Sequence, residues 1–206
     1  MGATTLKKKK EFDLSTMPAL CRNAIVQNVR LLKERYDWSV LMLVRIVDSD
    51  KKLLGYVTVL EKKFTDALNK FPGGKRSEKR KHNNDGDYSP VDTAYGELLE
   101  ETKLACINPE QQDSYQFVYA RLYCNESAKA VPGYHLKFLC VVDVSSATIE
   151  NIFGSSTSLD HGNEIATVHT PNEFKRLIYR GQFLDSHREM LFCAEDKLRE
   201  IGLWPL

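Results

Sequence analysis

The stretch that most restricts how this chain can fold runs from Ser89 to Leu104, SPVDTAYGELLEETKL. Ser89 is a helix-capping residue, Pro90 suits the first helical position, and Asp92 lies three residues after the cap, a capping-box variant with Asp in place of Glu. The helix started there is predicted to run to about Lys103. Within it Glu97, Glu100 and Glu101 stand at i, i+3 and i+4, which puts three carboxylates on one face within a turn. Ala94, Tyr95, Leu98 and Leu104 supply apolar surface to fix the helix against a sheet. The acids repel one another, and Lys103, three after Glu100, is the only base at a matching helical offset. One ammonium cannot balance three acids. A divalent cation can, and hard carboxylate oxygens suit magnesium or manganese. Taken alone, the same acids also read as the solvated face of a surface helix.

The sheet has its own signals. Trp38–Val47 is a nearly continuous apolar run, and Leu53–Leu60 follows it across a polar turn at Asp48–Lys52. With Tyr115–Cys124, Tyr134–Val144 and Ile165–Val168 these read as strands. Met17–Tyr36, Pro171–Tyr179 and Asp185–Ile201 read as helices, Ser145–Gly162 as polar and irregular with a short helix near Ile149. Phe64–Phe71 is ambiguous, and Phe71-Pro72-Gly73-Gly74-Lys75 breaks regularity. Residues 1–14 read as a mobile basic tail. Residues 15–206 show no repeat or linker and read as a single domain.

Composition excludes little. The chain has 206 residues, 42% of them hydrophobic and 28% charged, enough for a sizeable core. Its net charge of +1 selects no partner class by bulk electrostatics. Local charge does more: Lys75, Arg76, Lys79, Arg80 and Lys81 crowd the insert between Lys75 and Asp87, which is expected to be a mobile loop able to grip phosphates or an RNA backbone. The five cysteines are widely spaced without a CxxC, so buried free thiols and the cytoplasm are expected. No apolar run is long enough for a membrane span. The start, MGATTLKKKK, has no apolar segment of a signal peptide, and Leu6 breaks the myristoylation pattern after Gly2. His135, His161, His169 and His187 match no ligand spacing.

The pairing of a Pro-Gly-Gly-Lys turn with this helix resembles the Nudix hydrolase family. That family's box ends Arg-Glu-U-x-Glu-Glu-x-Gly-U, where U is a bulky aliphatic, and a Pro-Gly-Gly-Lys usually opens it. Phe71–Lys75 looks like the opening loop; Glu97, Leu98, Glu100, Glu101 and Leu104 match the helical part in mutual spacing. Departures are clear. The box arginine, which normally orients and neutralises the carboxylates, is Gly96. The glycine near the helix end is Lys103. The stretch between Gly74 and the helix is longer than usual, and the first box Glu falls on Tyr88, with Asp87, Asp85 or Glu78 as stand-ins that spacing cannot separate.

The resemblance implies an α/β protein: a Nudix-like α/β/α sandwich with a mixed central sheet and added N- and C-terminal helices. It implies a metal-dependent diphosphohydrolase acting on a nucleoside diphosphate derivative, with water as nucleophile. Glu97, Glu100 and Glu101 would hold Mg2+ or Mn2+. Glu164, before the last strand, looks like the family's later acid and joins them as a catalytic residue. Gly73, Gly74 and Lys75 would bind the phosphates. Tyr119 would stack a base, with Tyr123, Tyr134 and Trp38 as further aromatics on the strands and core packing as their commoner fate. The expected partner is a nucleotide-like substrate, RNA included, and no membrane. The alternative is a catalytically impaired Nudix-fold module that binds nucleotide or RNA, which the missing arginine favours.

Overall fold

The computed structural model describes residues 37–62, 68–77, 87, 89–105, 114–125, 133–161 and 163–206. The expected tail 1–14, the helix Met17–Tyr36 and most of the basic insert lie outside these. In chain order the elements are β1 (Asp37–Val47), β2 (Leu53–Glu61), β3 (Gly73–Lys75), α1 (Pro90–Thr102), β4 (Tyr115–Asn125), β5 (Gly133–Ser145), α2 (Ser146–Phe153), β6 (Ser158–His161), β7 (Glu164–His169), α3 (Pro171–Tyr179), α4 (Asp185–Cys193) and α5 (Glu195–Glu200).

The strands form one mixed sheet in the order β4-β5-β1-β2-β7-β6, with β3 on β1. β1 runs parallel to β5 along its whole length. Its other edge is shared: Ser39, Val40 and Leu41 pair with β3, and Val44–Val47 pair with β2, both antiparallel. β2 leaves β1 to pair with β7. The gap this opens is filled by the segment before β3, where Lys70 bridges to Val59.

Side chains alternate along β1, as a pleated strand requires. Trp38, Val40, Met42, Val44 and Ile46 face one core with Ala94, Leu98 and Leu104 from around α1 and Phe153 from α2. Leu41 and Leu43 face the other with Phe174 and Ile178 of α3, Met190 and Leu191 of α4 and Leu198 of α5. The chain is thus an α/β/α sandwich around a mixed sheet, with the C-terminal helices as expected. Burying a large aliphatic contributes about 1.5–3 kcal/mol, against a few tenths for a like-charge pair on a helix. The apolar side of α1 therefore overrides its acidic one.

Four expectations need correction. Gly73–Lys75 is a strand rather than a break: two glycines carry no strand propensity, but β1 offers its open edge. Gly73 sits at φ 145, and a Cβ there would lie 2.0 Å from the Val40 carbonyl oxygen, so only glycine fits. Ser158–His161 is an edge strand on β7; its polar residues suit an edge, and they hid it in the sequence. Asp185–Ile201 is two helices, broken at Ala194, where φ −91 and ψ 0 re-aim the chain. The thiol of Cys140 is buried, but Cys193 is exposed at the end of α4.

Candidate functional site

The start of α1 is built as its sequence dictates: the Ser89 hydroxyl accepts from the Asp92 N–H (3.1 Å) and Pro90 occupies the first turn. A buried relay braces it from the sheet. Trp38 Nε1 donates to Thr93 Oγ1 (2.8 Å), which donates to Asp87 Oδ2 (2.9 Å), which also accepts from the Ser77 N–H (2.9 Å). The Asp87 N–H donates to the Ser77 carbonyl (2.8 Å), so the two ends of the insert are tied together at the foot of the helix. Asp87, one stand-in for the first box Glu, is thus spent on this latch. Trp38 is fully buried, so it stacks no base; Arg76 lies over its ring at 5.0 Å. The helix ends at Lys103, which adopts a left-handed cap (φ 63, ψ 5) despite not being glycine.

One turn of α1 then meets the glycines. Gly74 pairs with Val40, on the α1 side of the sheet, and a Cβ on it would lie 2.5 Å from the carboxylate carbon of Glu97. Gly74 is open space that lets Glu97 approach the backbone. Glu101 is buried (7% exposed) and its Oε2 accepts from the Gly73 N–H at 2.7 Å. Glu100 is half-buried on the same helix.

Glu101 also leads to a group that sequence reasoning missed. Lys70 Nζ lies 3.3 Å from Glu101 Oε1, 2.9 Å from Glu164 Oε1 and 2.9 Å from Glu61 Oε1. These come from the end of α1, the start of β7 and the end of β2. Burial works against the ammonium, but the three carboxylates outweigh it and hold the Lys70 pKa above its ordinary value. Burial pushes the Glu101 carboxyl well above the usual carboxylate range; Lys70 opposes this and Glu164 adds to it. Three carboxylates on one ammonium leave a surplus of negative charge in a largely dry pocket.

Magnesium or manganese fits the chemistry of this donor set, which is all carboxylate oxygen with excess negative charge. Among the described residues, no three acids are already turned around a common point as ligands. Glu61, Glu101 and Glu164 instead meet the Lys70 ammonium. Glu97, Glu100 and Glu101 on α1 are the residues that would hold an ion here, with Glu164 beside Glu101 at Lys70.

The chain is similar in outline to Nudix hydrolases of known structure. They include a NUDIX hydrolase from Nitrosomonas europaea, 16% identical over 82% of this chain and 90% of that one, with a TM-score of 0.48. The NUDIX domain of Shewanella oneidensis NrtR, complexed with ADP ribose, is 14% identical over 66% and 71%, at TM-score 0.40. A candidate asymmetric diadenosine tetraphosphate hydrolase from Jonesia denitrificans is 13% identical over 83% and 98%, at TM-score 0.49. No protein-family model matches the chain, and no curated protein matches it. Likeness of this degree is one of shape, and the reading of the site rests on its side chains.

Of the residues expected at the site, Glu97 and Glu101 converge on Gly73 and Gly74, and Glu164 joins through Lys70. Lys75 ends β3 with its side chain exposed. Tyr119 stands farther off, half-buried against the core on the other side of the sheet. The side chains of Tyr123 and Tyr134 lie outside the described residues. Among the histidines, buried His187 on α4 accepts the Phe71 N–H at Nδ1 (3.1 Å) and so steadies the segment that leads into Gly73. Burial, then the nearby Lys137 and Lys70 cations, lower its pKa to about 3, so it stays neutral. Neither Lys70 nor His187 carried a motif; closeness to the glycine turn was the only signal for Lys70. Among the described residues no helix is long and apolar enough to cross a membrane.

Proposed function

We propose that this chain is a Nudix-type hydrolase that cleaves a diphosphate linkage in a nucleoside diphosphate derivative by attack of water, with Mg2+ or Mn2+. One observation carries the reading: the acids of α1 and the Gly73–Gly74 turn, distant in sequence, are packed as a unit, with the Gly73 N–H on Glu101 and Gly74 hollow against Glu97. A bound divalent ion supplies charge neutralisation of the diphosphate and a more acidic water. Glu97, Glu100 and Glu101 are its proposed ligands. Glu164, which shares Lys70 with Glu101, is the proposed acceptor of the proton of the attacking water. The Gly73 and Gly74 backbone and the Lys75 ammonium face the phosphates.

The second reading, a binding module without turnover, is favoured by Gly96 in place of the box arginine and by Lys70, whose ammonium already draws Glu61, Glu101 and Glu164 to itself. One experiment separates the two. Purified protein is incubated with dinucleoside oligophosphates, nucleotide sugars and capped RNA, with magnesium, manganese or EDTA. Metal-dependent release of phosphate or a mononucleotide, lost by roughly two orders of magnitude or more in Glu101→Gln with melting unchanged, supports the hydrolase. Ligand-dependent thermal stabilisation without release supports the module.

A further inference from the structure

The carboxylates that meet Lys70 arrive there by different routes. Glu61 and Glu164 are direct register partners on β2 and β7. The side chains of such a pair stand on one side of the sheet. Here it is the α1 side, because Val59 and Ala166, two residues along each strand, face the core with α1. Like charges directly opposite one another destabilise a sheet. Lys70 bridges Val59, with backbone hydrogen bonds of 3.0 and 2.9 Å in the two directions, so its side chain rises on that same side. The ammonium lies 2.9 Å from an oxygen of each member of the pair.

Glu101 reaches the same ammonium from α1. Its two oxygens have separate partners three residues apart in one segment: Oε1 lies 3.3 Å from Lys70 Nζ, and Oε2 accepts the Gly73 N–H at 2.7 Å. Two fixed points set the plane of the carboxylate. The segment itself is fastened between them, since the Phe71 N–H donates to His187 and the Pro72 carbonyl accepts the Met42 N–H at 2.8 Å. Lys70 therefore joins an acid of β7 to an acid of α1 through one nitrogen whose backbone is held by the sheet. Without that cation, repulsion among the three acids turns Glu164 away from Glu101.

We propose that Lys70 is a positioning residue of the reaction, which holds Glu164, the proposed proton acceptor, beside the proposed ion ligand Glu101, with Glu61 anchoring the ammonium to the sheet. This rests on the hydrolase reading for the roles of Glu101 and Glu164, but the hold on the two acids does not. Lys70 acts through Glu164 and not on the substrate. A cation that orders these acids also competes with a divalent ion for Glu101. Removing it therefore separates two quantities, because ion binding tightens while turnover falls. A damaged fold weakens both.

The test pairs calorimetric titration of the full chain with Mn2+ alone and steady-state turnover of the panel substrate that the wild type cleaves fastest. Lys70→Met binds Mn2+ roughly tenfold more tightly, loses roughly a hundredfold in kcat, the usual worth of a placed proton acceptor, and keeps its KM. Lys70→Arg, which restores a cation, recovers most of the turnover. Glu164→Gln loses as much as Lys70→Met, and Lys70→Met costs nothing more in that background, because no acceptor is left to place. Losses that multiply in the double variant overturn the proposal. So does Lys70→Met with full turnover, or with Mn2+ binding that weakens alongside turnover. Should Lys70→Met not fold, Glu61→Gln is added to it, which removes the like-charge pair and leaves Glu164 without its cation; the same outcomes decide. A wild type that cleaves nothing in the panel sinks the hydrolase reading. The hold is then judged by Mn2+ binding and by metal-free crystal structures: Glu164 parts from Glu101 in Lys70→Met, and a Glu164 that stays against Glu101 there overturns the hold.

Discussion

Replacing Lys70 with methionine removes the cation that Glu61, Glu101 and Glu164 share while keeping the length of the side chain. The lysine side chain is 13% exposed and that of Glu101 8%, so solvent screens the loss poorly. Leaving a buried charge without its partner costs about 3–5 kcal/mol. Glu101 can relieve part of this by taking up a proton, each pKa unit being worth about 1.4 kcal/mol. We expect a net loss of about 3 kcal/mol near pH 8, or roughly 6–12 °C in melting temperature for a chain of this size. The sign with pH follows from the direction of the shift. Glu101 has its folded pKa above the unfolded value, so the folded state binds the extra proton and stability falls as pH rises through that window. Without Lys70 the shift grows, and the variant should recover toward wild type near pH 5. Magnesium should also restore it more than it stabilises the wild type, because the ion no longer competes with an ammonium. Thermal denaturation at both pH values, with and without magnesium, reads all of this; Lys70→Arg should stay near wild type. A variant as stable as wild type at pH 8, or one equally unstable at both pH values and blind to magnesium, would refute the hub.

Gly74→Ala places a methyl 2.5 Å from the Glu97 carboxylate carbon; the flexible end of Glu97 can swing away, so melting should change little while metal-dependent turnover drops sharply in a steady-state assay. Lys103→Gly relieves a left-handed backbone angle and should raise stability by about 1 kcal/mol in a urea titration, with activity intact. His187 has its folded pKa lowered to about 3, below the unfolded value of about 6.5, so its contribution is present above that value and lost as pH falls. Stability should decline by up to about 1.4 kcal/mol per pH unit below about pH 6.5 on this account, and His187→Gln should flatten that part of a melting-versus-pH curve.

The readable parts of the fold were those whose cause is local. Pro171–Tyr179 was bounded correctly because Thr170 and Glu173 form a capping box within one turn. The strands β1 and β5 were legible because their runs are mostly apolar. The same reasoning failed at Gly73–Lys75, where pairing with the distant β1 outweighs residue preference, and at Ser158–His161, where polar residues hide a hairpin with the adjacent β7.

The sequence by itself determined that a capped helix would carry Glu97, Glu100 and Glu101 on one face, because helical spacing is a property of contiguous residues. It also marked Gly73 and Gly74 as a place of close approach. Only the tertiary structure decided that Lys70 would stand among Glu61, Glu101 and Glu164. That grouping depends on strand register and on which edge of β1 the glycine turn fills. Both are set by packing between segments far apart along the chain, where no local pattern reaches.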